Sequence, residues 1–66
     1  MVEVEVEQDG DVLYIPSSEN DRVFKYLDGL RVQMTFLSDD DGQCSYQFPT
    51  VGTAENAKYL IEELME

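Results

Sequence analysis

The sequence predicts a small two-layer α+β domain, a four-stranded antiparallel sheet with two helices in the order ββαββα, with residues 1–66 forming a single domain. Three observations carry that prediction. Apolar and polar residues alternate in two pairs of segments, each pair broken by an Asp/Gly turn; two other stretches bear helix-start signals followed by apolar residues at helical spacing. The composition, 42% hydrophobic with 4 Tyr and 3 Phe, is globular and too aromatic for a disordered acidic tail.

Val2, Val4 and Val6 alternate with Glu3, Glu5 and Glu7, the period of a strand with one apolar and one carboxylate face. Gln8-Asp9-Gly10-Asp11 is expected to turn the chain, because Gly10 can take positive φ, and Val12 to Ile15 reads as the returning strand. Pro16 ends it, having no amide hydrogen for the ladder. A short helix is predicted over 19–28, with Ser18 as N-cap, Val23, Phe24 and Leu27 on one face and Gly29 at the left-handed C-terminal position. A second hairpin follows, in which Leu30, Val32, Met34 and Phe36 alternate with polar residues, Ser38 to Gln43 forms the loop, and Cys44, Tyr46 and Phe48 return. Pro49 closes this hairpin, Gly52 breaks the chain, and Thr53 is expected to cap a final helix with Ala57, Leu60, Ile61 and Leu64 on its inner stripe.

Charge narrows the function. The chain has 15 Asp plus Glu against 4 Lys plus Arg and no His, a formal net charge of -11. A domain this short buries only about 60% of the surface it exposes when unfolded, and carboxylate repulsion lowers its stability further. Direct phosphate binding is disfavoured because Arg22, Lys25, Arg31 and Lys58 are scattered and outnumbered. No apolar stretch approaches a membrane span, and MVEVEVE is acidic and alternating where a secretory signal needs a basic start and an apolar run. A cytoplasmic protein with positively charged partners, and with neither membrane nor nucleic acid as a direct ligand, is the expectation.

Catalytic and metal readings find little support. Cys44 is the sole cysteine and has no histidine to act as its base; it alternates in phase with Tyr46 and Phe48, as a buried small hydrophobe would. Asp39-Asp40-Asp41-Gly42 invites a calcium loop, yet placing Gly42 at the sixth position of an EF-hand puts Leu37 at the first ligand and leaves no flanking helices. No enzyme activity, no cofactor and no metal are expected.

The carboxylate pattern remains. Glu3, Glu5 and Glu7 would project from one strand face at roughly 6.6 Å intervals, a line of charge on a stiff support. Asp9 and Asp11 continue it at the turn, and Asp39, Asp40 and Asp41 gather in the second loop. Glu62, Glu63 and Glu66 occupy the last turns of a helix, where the backbone dipole favours cations instead. These acids are the candidate partner-binding residues, with Tyr14, Tyr46 and Tyr59 as aromatic anchors. A basic groove that holds nucleic acid responds to regularly spaced negative charge before it reads bases.

In size and charge the chain resembles nucleic-acid-mimic inhibitors, the class that includes anti-restriction and anti-CRISPR proteins of phages and mobile elements. The resemblance is one of composition over the whole chain and involves no shared motif. It implies a non-enzymatic inhibitor whose partner is a basic nucleic-acid-binding protein. The alternative is an acidic interaction module or subunit, such as a homodimer hiding a strand edge, whose charge serves solubility or adaptation to high salt.

Overall fold

The computed structural model describes residues 6–65. Strands β1 (Glu7–Asp9) and β2 (Val12–Pro16) lead through a 3-10 turn at Ser17–Glu19 into helix α1 (Asn20–Gly29). Strands β3 (Thr35–Asp40) and β4 (Gln43–Gln47) follow, and helix α2 (Val51–Met65) completes the ββαββα order. The sheet is antiparallel throughout, with strand order β1-β2-β4-β3. Thus β2 and β4 form the centre, and β1 and β3 are the edges among the described residues.

Register decides which residues meet the helices. Leu13 pairs with Tyr46 and Ile15 with Cys44, and all four are buried on the same side of the sheet. Val23 and Leu27 of α1 and Ala54, Ala57 and Ile61 of α2 close over them, with Val6 and Phe48 completing the core. Helix α1 lies toward β4, where Asn20 accepts the Tyr46 hydroxyl hydrogen, and α2 lies toward β1 and β2. Both helices therefore cover one face. The other face carries the alternate residues of each strand.

Both hairpins are tighter than the sequence suggested. Asp9 pairs with Val12, so only Gly10 and Asp11 turn the chain; Gln8 and Asp9 belong to β1. The second turn is Asp41-Gly42, both at positive φ (53° and 75°), the two-residue type whose twist matches the flanking strands. Ser38, Asp39 and Asp40 are therefore strand residues, and Gln43 opens β4. The ladder shifts register between Phe36 and Ser38, a bulge that leaves Leu37 as the extra residue.

The helix ends also differ from expectation. Ser18 sits in the 3-10 turn, and no side chain caps the start of α1, whose N-cap is Glu19. Gly29 remains helical, and the left-handed residue is Arg31 at φ 59°. The Arg31 N–H donates to the Asp28 carbonyl at 3.0 Å and the Val32 N–H to the Leu27 carbonyl at 3.1 Å, the paired bonds of a Schellman ending. This ending displaces the strand predicted from Leu30, which begins only at Thr35. Glycine should suit position 31 better: Arg31→Gly is expected to exceed Arg31→Ala in stability by about 0.5–1 kcal/mol, read as a difference in urea midpoint. Equal midpoints would show that the left-handed backbone carries no cost here.

At α2, Thr50 supplies the cap instead of Thr53. Its Oγ1 accepts the Thr53 N–H at 3.0 Å, while the two threonine hydroxyls bond each other at 2.8 Å. Gly52 lies inside the first turn and does not break the chain.

Candidate partner-binding surface

The face of the sheet opposite the helices is assembled from Glu7 and Asp9 of β1, Val12, Tyr14 and Pro16 of β2, Gln43, Ser45 and Gln47 of β4, and Thr35, Ser38 and Asp40 of β3. Pairing places these residues on one side because their partners alternate with the buried set. At its middle the Ser45 hydroxyl is shielded, 2.9 Å from that of Ser38. Among the described residues the face carries carboxylates and neutral groups and no cation. Arg22 and Lys25 are on α1, Arg31 is at its exit, and Lys58 is on α2, so all 4 basic residues belong to the helical layer or its connection.

Alternation also divides the predicted acidic groups. Glu7 and Asp9 share the open face, whereas Glu3, Glu5 and Glu66 lie outside the described residues. Asp11 is in the first turn, where its carboxylate accepts Gln47 Nε2 at 3.2 Å. Asp39, Asp40 and Asp41 do not gather in a loop. Asp40 points to the open face and accepts the Asp41 N–H at 3.0 Å, while Asp39 points to the helical side and accepts the Ser17 hydroxyl at 2.8 Å.

The two hairpin turns occupy opposite ends of the sheet, since Asp11 follows the Val12–Gln47 end of the ladder and Gly42 the Pro16–Gln43 end. Negative charge thus brackets the open face at two diagonal corners, roughly 15 Å apart along the strands. Between those corners run neutral hydrogen-bonding side chains and Tyr14.

Glu62 and Glu63 are exposed in the last turn of α2, away from the open face. The dipole there meets a cation after all: Arg22 Nη2 of α1 donates to the Leu64 carbonyl at 3.3 Å. Sequence spacing could not reveal that contact between residues so far apart in the chain.

The three tyrosines have different positions. Tyr14 is half-buried on the open face, and Tyr59 is exposed on α2 with its hydroxyl 3.3 Å from Glu55 Oε1. Tyr46, expected as an anchor, is only 2% exposed and belongs to the core because it pairs with Leu13 on the helical side. The exposed aromatics beside it are Phe24 and Phe36, which the sequence assigned to apolar faces. A signal was present: Phe24 adjoins Val23 on α1 and is turned by about 100° from it, off the Val23 and Leu27 stripe.

Burial raises the Tyr46 pKa, and the nearby Cys44, Asp21 and Asp39 add to that direction. The folded state then holds the phenolic proton more tightly than the unfolded chain, whose pKa is near 10.0. This contribution is complete below about pH 10 and is lost as pH rises through the folded-state value. Denaturation between about pH 8 and about pH 11 should show a steeper alkaline loss in the native protein than in Tyr46→Phe. Parallel profiles would remove Tyr46 as the cause.

Cys44 is buried, with its Sγ 3.8 Å from the Ser17 hydroxyl. Among the described residues no three carboxylate or thiol side chains converge where a metal ion could be held, and no helix is long and apolar enough to cross a membrane. A shallow depression of about 280 Å³ is lined by Asp11, Thr35, Gln47, Phe48 and Pro49 at the first-turn end of the sheet. No protein-family model matches the chain, and no curated protein and no solved structure matches it either.

Proposed function

We propose that the protein is a non-enzymatic inhibitor that acts in the cytoplasm by presenting nucleic-acid-like charge to a basic nucleic-acid-binding protein. The observation that supports this most is the confinement of the cations to the helical layer, which carries acids as well. Every Lys and Arg belongs to the helices or the α1 exit, while the open sheet face offers Glu7, Asp9 and Asp40 with the turn acids Asp11 and Asp41 at its ends. A net charge of -11 would steer a positive partner from a distance, and a face without cations would meet it without local repulsion. Amide and hydroxyl groups between the acids can replace hydrogen bonds that such a partner makes to nucleic acid.

Immobilised protein exposed to a nuclease-treated lysate is expected to retain a basic nucleic-acid-binding protein. DNA or RNA should release it, and rising salt should weaken the complex. Retention of no such protein would overturn the proposal.

A further inference from the structure

Phe24 and Phe36 are 45% and 54% exposed in a domain with little core to spare. Neither ring is loose. Both rest on Tyr46, with centroids at 6.5 Å (interplanar 29°) and 5.5 Å (69°), and Tyr46 is itself buried and hydrogen-bonded to Asn20. Acids border the pair. Asp21 precedes Phe24 by one helical turn, and the bulge at Leu37 brings Asp39 to the same side of β3 as Phe36. The Ser17 hydroxyl fixes the Asp39 carboxylate.

We propose that Phe24 and Phe36, with Asp21 and Asp39 beside them, form an anchor that receives an arginine side chain of the partner. This rests on the reading that the partner is basic. Aromatic faces attract cations, and a guanidinium can stack on a ring while bonding a carboxylate through its planar fork. Charge complementarity selects this occupant. A second copy would bring another net charge of -11 against the same acids, and a purely apolar segment would cover two carboxylates without supplying a cation to pair with them. The anchor lies on the helical side of edge strand β3, so a partner touching Asp40 on the open face reaches the rings by wrapping that edge.

Titration of the full chain with hexa-arginine and hexa-lysine peptides at low salt, followed by NMR, tests the anchor. Hexa-arginine should shift the Phe24 and Phe36 ring resonances and bind more tightly than hexa-lysine. The Phe24→Leu/Phe36→Leu variant keeps apolar volume; it should weaken hexa-arginine about threefold to tenfold and abolish the preference over lysine. Glu7→Gln/Asp9→Asn should weaken both peptides alike and leave the preference intact. Binding that shifts Glu7 and Asp9 but not the rings would overturn the anchor while leaving the charge reading in place; no binding of either peptide would remove both. Self-association through the rings, seen by sedimentation equilibrium, would give the patch to a second copy and overturn the proposal. Should the leucine variant fail to fold, the ring shifts and the arginine preference of the native chain decide alone.

Discussion

Leu13→Ala is expected to leave most of the protein unfolded at 37 °C, with lost far-ultraviolet dichroism and collapsed amide dispersion in the NMR spectrum. Leu13 is fully buried on central strand β2, opposite Tyr46. Removing such a side chain costs about 2–5 kcal/mol, because the cavity relaxes only in part. A chain of this length has total stability of about 3–10 kcal/mol, and unscreened carboxylates press it toward the lower end. The same truncation at exposed Leu37 should cost less than about 1 kcal/mol. Equal losses at the two positions would contradict the assignment of β2 to the centre and β3 to the edge.

Neutralising the open face is the second large effect. Glu7→Gln/Asp9→Asn/Asp40→Asn removes three charges from surface positions without touching the core. Association with a captured basic partner is expected to slow by about tenfold to a hundredfold, with a flatter salt dependence, while thermal stability holds or rises as repulsion falls. The control is Glu62→Gln/Glu63→Gln on α2, away from that face, which should change association much less. If the α2 pair matters as much as the sheet face, net charge alone drives association, and the arrangement on the sheet has no special part.

Local physics made much of the fold legible. The period of two in Leu13 and Ile15, the glycine-containing turns and the apolar stripe of Ala57, Leu60, Ile61 and Leu64 each follow from residues close in the chain, and the ββαββα order follows from them. Long-range competition set the rest. The pairing of Asp39 with Cys44 requires a bulge at Leu37, which no alternation pattern announces, and that bulge decides that Asp39 faces the helices and Asp40 the open side, while Asp41 falls in the turn. Likewise, Val32 reaches back to the Leu27 carbonyl, so Arg31 takes the left-handed backbone although Gly29 is close by. The acidic residues could be read from the sequence; their companions could not. That the strands lack any cation becomes a property of one surface only when the helices are known to cover the other.

The proposed function is that this acidic face occupies the site where a partner would hold nucleic acid. Its most direct test is competition: the captured partner is mixed with labelled DNA or RNA and increasing amounts of this protein, and complexes are resolved by size. Mutual exclusion is predicted, with nucleic acid released as the protein binds and no species containing all three. A stable ternary complex, with nucleic acid and this protein bound together at undiminished affinity, would contradict the account.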